Sequence, residues 1–285
     1  MLKNNLFIFL QKCLPQHFLS RLSAFFVNNE YPPLKNFLIK MAIKKFNISL
    51  ENAKKKNISD YKTFNEFFTR ELDENERPIS DDKNSLISPA DGILSQFGQI
   101  ENGNLIQAKG KLFTLNSLLG KNKKMCNDFI NGSFFTIYLS PSDYHRVHIP
   151  FDGKLIHMSF IPGKLFSVNE ITTEEIDQVF SQNERVICYF KTEFGTMAVI
   201  FVGALLVASI ITKWHGIVAP SYYDNIKEWD YSSSNIYYKK GQEIGRFQFG
   251  STIICCTPKD SIQFTQDTTI ISSIKMGEPI AQMSK

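Results

Sequence analysis

From residue 85 onward the sequence breaks into short runs of β-branched and aromatic residues separated by Gly, Asn, Asp and Pro. Examples are LISPADGILSQFGQI (86–100), GSFFTIYLS (132–140), GKLIHMSFIPG (153–163) and GQEIGRFQFGSTIICC (241–256). Such runs are too short and too interrupted for helices. They predict strands joined by turns, and so a mainly antiparallel β body. The longest apolar stretch, 197–211, is fifteen residues and is broken by Gly203. A membrane-spanning helix needs about 20 apolar residues, so this stretch reads as two buried strands, or one strand and its continuation. The stretch 246–256, RFQFGSTIICC, reads as one buried strand with Gly250, Ser251 and Thr252 inside it. Glycine is a poor strand former, so its place there asks for a reason.

The first 60 residues have a different texture. Phe18, Leu19, Leu22, Phe25 and Phe26 fall on one helical face of 14–27, with Pro15 suited to the first turn. The stretch 33–48 repeats the pattern with Leu34, Phe37, Leu38, Met41 and Phe46, flanked by Lys35, Lys40, Lys44 and Lys45. A third, shorter helix is expected over 60–72. Residues 1–58 hold nine lysines and one arginine against two acids, a net +8, whereas the remainder nets −4. Basic amphipathic helices rich in Phe suit the surface of an anionic membrane. The fold class is therefore α+β: a mainly antiparallel β body, 61–285, with an N-terminal amphipathic helical segment, 1–60. The apolar run 6–10 is too short for a signal peptide, and no cleavage site or transit peptide is evident. Five cysteines without CxxC spacing indicate neither a disulfide framework nor a zinc knuckle, and they fit a reducing compartment. No P-loop or GxGxxG is present, so neither nucleotide nor nucleic-acid binding is expected.

Chemistry concentrates in three places. His145 and His148 stand three apart in LSPSDYHRVHIP (139–150), where Ser140, Pro141 and Asp143 suit a short helical turn. They share a face if that turn is helical and oppose each other if it is a strand. No third ligand accompanies the pair, so no metal site is expected. Asp91 lies in the turn SPADG, and Ser251 follows Gly250. Each alone suits an ordinary structural role. Together they are the parts of a base-activated nucleophile, although no G-x-S-x-G elbow surrounds Ser251. A buried hydroxyl after glycine has a second option: attack on the preceding carbonyl, where glycine offers no side chain in the way.

The segment FGSTI resembles the L-G-S-T self-cleavage motif of the bacterial and mitochondrial phosphatidylserine decarboxylases. TFNEFFTREL (63–72), RPI (77–79), SPADG (88–92), DYHRVHIP (143–150), IPGKLFSVN (161–169), NERV (183–186), VGALLVASI (202–210) and KGQEIGRFQFGST (240–252) resemble family segments in family order. Phe249 stands for the usual leucine, and Ala208 where glycine is more usual. The resemblance implies a proenzyme that cuts itself between Gly250 and Ser251 into chains 1–250 and 251–285. His148, oriented by Asp91, would be the base, and Ser251 would become a covalent pyruvoyl cofactor. It implies decarboxylation of phosphatidylserine to phosphatidylethanolamine, with His145 positioning the carboxylate or serving proton transfers. Thr252 either assists cleavage or is a plain strand threonine. Trp214 and His215 either line the site or pack the core, the latter being favoured. The implied partners are phosphatidylserine, an anionic membrane surface and the paired cleavage chains, with room for a homodimer of these. The implied place is the cytoplasmic side of a bacterial cell membrane, bound peripherally. Rival readings are a pyruvoyl decarboxylase of a soluble amino acid, a serine hydrolase using Ser251, and a non-catalytic membrane-binding module.

Overall fold

A computed structural model describes residues 2–205, 209–219, 224–248, 251–265 and 271–284. Every pairing between its named strands is antiparallel. The large sheet runs in the order β12 (Lys227–Asp230), β7 (Gly153–Ile161), β8 (Arg185–Thr192), β9 (Gly195–Val202), β15 (Ser251–Thr257), β5 (Ser133–Leu139), β2 (Gly92–Gln99) and β17 (Ser272–Ile274). β13 (Tyr237–Tyr238) adds to β7. A four-stranded sheet has the order β11 (Gly216–Ala219), β10 (Ile210–Thr212), β14 (Glu243–Phe247) and β6 (Arg146–His148). β1 (Ser85–Ile87), β18 (Pro279–Met283) and β16 (Ile262–Phe264) form a third sheet, and β3 (Asn104–Ala108) pairs with β4 (Lys111–Thr114). The long apolar stretch is thus divided between β9 and β10, in two different sheets.

β15 is central and covered on both faces. Its seven residues are all buried. That is why Ile253, Ile254, Cys255 and Cys256 read as one continuous apolar run rather than an alternating one. The expected single strand over 246–256 is two strands in two sheets: Phe247 ends β14 and Ser251 begins β15. Gly250 and Phe249 fall outside the described residues, as does Ala208.

Helices α1 (Leu2–Cys13), α2 (Gln16–Val27) and α3 (Pro32–Phe46) form the N-terminal segment. α4 is only Phe64–Phe68, shorter than expected, with the Thr63 side chain accepting from the Glu66 N–H. α5 (Leu115–Leu118), α6 (Lys123–Asn127), α7 (Glu170–Glu175) and α8 (Val179–Gln182) are short connectors. α3 and α4 share a small core of Ile39, Ala42, Ile48, Tyr61, Phe64, Phe67 and Phe68, apart from the body's own core.

α1 and α2 dock with their polar sides inward. Gln11, Gln16 and Ser20 are buried, while Phe18 and Phe25 are 63% and 69% exposed. The Gln11 and Gln16 side-chain Oε1 atoms accept the backbone N–H groups of Ser167 and Leu165, both at 2.7 Å, and His17 Nε2 donates to the Gly163 carbonyl. Lys35, expected on a solvated basic face, is buried instead. Its ammonium donates to the carbonyls of Tyr61 and Ile58, tying α3 to the segment before α4.

Candidate active site

Ser251 is fully buried, and its hydroxyl has no hydrogen-bond partner. In the ladder it faces Leu139 of β5. Strand side chains alternate, so Ser251 and Ile253 share one face of the large sheet. Ile253 pairs with Phe201 of β9, and the Phe201 ring packs 5.3 Å from that of Phe247 in β14. Ser251 therefore faces the four-stranded sheet, whose edge strand β6 carries His148. The two sheets approach closely at Gly245: a Cβ there would lie 2.5 Å from the Ile211 carbonyl and 3.1 Å from the Phe201 ring.

Residues 140–143 form a turn but not a helix. Asp143 closes it by accepting the Ser140 N–H at 2.7 Å. His145 precedes β6 and His148 ends it, so helical spacing does not place the pair. His145 is fully buried against the Phe68 ring at 4.2 Å. Its Nδ1 lies 2.8 Å from the Asp143 carbonyl, which can only accept, so the proton sits on Nδ1. Nε2 is left as a buried lone pair without a partner. Burial pulls this imidazole down to about 3, so it stays neutral.

The same logic fixes the tautomer of His148. Nδ1 donates to the Gly241 carbonyl at 2.7 Å, and Nε2 accepts from the Tyr144 hydroxyl at 3.0 Å. Burial lowers the pKa of His148 and raises that of Tyr144. A neutral imidazole with its Nε2 lone pair available has the form a general base requires.

Asp91 does not bond to His148. Arg77 grips its carboxylate through Nε at 2.8 Å and through Nη2, and the Met276 N–H donates at 2.9 Å. The link to His148 runs through the main chain, where the His148 N–H donates to the Pro89 carbonyl at 2.8 Å. Gly92 keeps this turn against β5, since a Cβ there would sit 2.3 Å from the Tyr138 carbonyl. The expectation of an Asp91 carboxylate on the imidazole is thus replaced. Gly241 and Tyr144 orient the ring, and Asp91 anchors the adjoining turn. Arg77 had a signal in the sequence, the RPI segment, but nothing local tied it to a residue fourteen positions on. Tyr144 lies inside the histidine motif, but nothing in the spacing marks its hydroxyl as a partner of His148.

Thr252 points to the other face of β15, where it lines an apolar cavity of about 240 Å³ with Tyr138 and Ile93. Trp214 packs on Phe190 and Tyr238, and exposed His215 bonds Tyr231.

Two family models match. One, described as phosphatidylserine decarboxylase, covers residues 64–282; the other, described as PSD, covers 6–47. Curated relatives bear the name phosphatidylserine decarboxylase proenzyme. The protein of Francisella tularensis subsp. novicida is 56% identical over 265 residues, 92% of either chain. That of Francisella philomiragia is 54% identical over 92% of this chain and 93% of its own.

Proposed function

The chain belongs to the phosphatidylserine decarboxylase family, and we propose that it converts phosphatidylserine to phosphatidylethanolamine and carbon dioxide after cutting itself between Gly250 and Ser251. One observation carries this reading: a fully buried, unpartnered serine hydroxyl at the entrance of β15, facing the sheet that bears His148. A polar group buried without a partner costs about 1–3 kcal/mol, so the Ser251 hydroxyl asks for a reason, which self-cleavage supplies.

His148 Nε2 takes the Ser251 proton once the Tyr144 hydroxyl turns away. The serine oxygen attacks the Gly250 carbonyl, and the acyl group moves from nitrogen to oxygen. β-Elimination releases the Gly250 carboxylate and leaves dehydroalanine, whose hydrolysis frees ammonia and forms a pyruvoyl group at 251. The buried, orphaned position of Ser251 fits that group. When formed, it supplies the carbonyl that condenses with the substrate amine and accepts electrons as the carboxylate departs. Asp91, clamped by Arg77, holds the Pro89 carbonyl that fixes His148. His145 presents a neutral lone pair at Nε2, which repels a carboxylate and suits proton transfer. Chains 1–250 and 251–285 stay together because β15 pairs with both β5 and β9.

Residues 1–60 are the membrane-docking part and 61–285 the catalytic part. Among the described residues no helix is long and apolar enough to span a bilayer. The outward Phe faces of α1 and α2 give the protein a peripheral seat on the cytoplasmic side of a bacterial cell membrane. That outward face has no use in a decarboxylase of soluble amino acids. Intact mass under denaturing conditions, beside Ser251→Ala, tests the proposal. Two fragments, the 35-residue one with a blocked N-terminus, together with phosphatidylethanolamine formed from phosphatidylserine vesicles, support it. A single chain in both samples refutes it.

A further inference from the structure

Beside Asp91 lies a second cavity, about 190 Å³, whose polar wall contains Arg70, Arg77, Lys275, Glu51, Asp91, Asp143 and Tyr144. Arg70 is only 6% exposed. Nη2 donates to the Ser142 carbonyl at 2.9 Å, whereas Nε and Nη1 are buried with no partner. A guanidinium is charged under all ordinary conditions, so two orphaned donors are a substantial unmet demand for an acceptor. The acids in the wall act on the Arg70 charge but give its Nε and Nη1 no hydrogen bond. Asp91 is engaged by Arg77 and Met276, and Asp143 accepts from Ser140. Lys275 forms no ion pair among the described residues. Burial raises the Asp143 pKa.

We propose that this cavity binds a phosphate group through Arg70 and Lys275, with Arg77 at its back. A carboxylate would also suit cations. A substrate carboxylate held by them, however, would be stabilised before it could leave, against the needs of decarboxylation. A phosphodiester carries a charge that persists through the reaction, so binding it costs the chemical step nothing. The cavity is also in register with the site: Tyr144 reaches from its wall to His148, and the Asp143 carbonyl holds His145. The headgroup of phosphatidylserine as the source of the phosphate rests on the decarboxylase reading above. The anion site itself does not.

The test is equilibrium dialysis of the full chain and of Ser251→Ala against inorganic phosphate, glycerophosphoserine and free serine. The variants are Lys275→Gln, at an exposed position, and Arg70→Lys. The expected result is saturable phosphate binding that weakens at least tenfold in Lys275→Gln. Glycerophosphoserine binding more tightly than phosphate identifies the headgroup as the ligand; the reverse order identifies free phosphate. Steady-state kinetics on phosphatidylserine vesicles should then show a KM at least tenfold higher in Lys275→Gln. Absence of phosphate binding, binding unchanged by Lys275→Gln, or free serine binding as tightly as glycerophosphoserine overturns the proposal. Because dialysis with Ser251→Ala requires no processing, a chain that binds phosphate but never cleaves sinks only the catalytic reading.

Discussion

The β body and the N-terminal helices use the same residue, phenylalanine, in opposite directions. In the body, Phe129, Phe134, Phe135 and Phe190 have no exposed surface. In α1 and α2, Phe9, Phe18 and Phe25 stand in solvent while glutamines and a serine face inward. This segment docks through hydrogen bonds and Ile8 and turns most of its phenylalanines outward. The contrast teaches that hydrophobic periodicity reveals a face without saying which way it points. A basic, Phe-rich face pointing away from its own core is the signature of an interfacial helix.

The contrast breaks first at single phenylalanines. Phe129→Ala should cost about 3–5 kcal/mol of stability, because it empties a packed site. Phe25→Ala should stay within about 0.5 kcal/mol, as exposed substitutions do. Equal losses in denaturant titrations would mean that α2 is an ordinary packed helix. The complementary readout is vesicle binding by a Phe9→Ser, Phe18→Ser, Phe25→Ser variant. Burying a Phe is worth at least ~1.4 kcal/mol, so affinity for phosphatidylserine vesicles should drop roughly tenfold per residue. Self-cleavage measured by mass should be unaffected.

A smaller effect sharpens how the helices are held. Gln11→Ala and Gln16→Ala each strand a backbone N–H, the half-buried one of Ser167 and the buried one of Leu165. Each should cost about 1–3 kcal/mol, read as faster hydrogen exchange at those two amides. Unchanged exchange would mean that the glutamines do not anchor the segment.

The smallest effect concerns pH. Burial raises the Glu184 carboxyl to about 7. Between its unfolded pKa, about 4.3, and that value the folded state holds a proton the unfolded chain has lost. Its contribution is therefore present below that range and disappears as pH rises through it. Glu184→Gln should raise Tm relative to the parent chain more at pH 8 than at pH 5. Buried His145 works in the opposite sense: its folded pKa near 3 gives stability above about pH 6.5 that is lost on acidification. A Glu184→Gln gain independent of pH would show that the carboxyl is hydrated.

Composition and pattern by themselves determined the antiparallel β body, the helical preface, its charge and its amphipathic faces. These are properties of neighbours along the chain, through turn chemistry and the two side-chain periods. Ordered motifs also marked Asp91, His145, His148 and Ser251. Tertiary structure alone decided how these residues meet. Spacing cannot tell that 246–256 spans two sheets, because a fully buried strand and a crossing between sheets are equally apolar. It cannot tell that Asp91 turns to Arg77 while Gly241 fixes His148, because those partners come from segments 14 and 93 residues away. The buried Lys35 and the orphaned Arg70 were hidden for the same reason. The fate of a charge depends on what the fold packs around it, and long-range packing leaves no local trace.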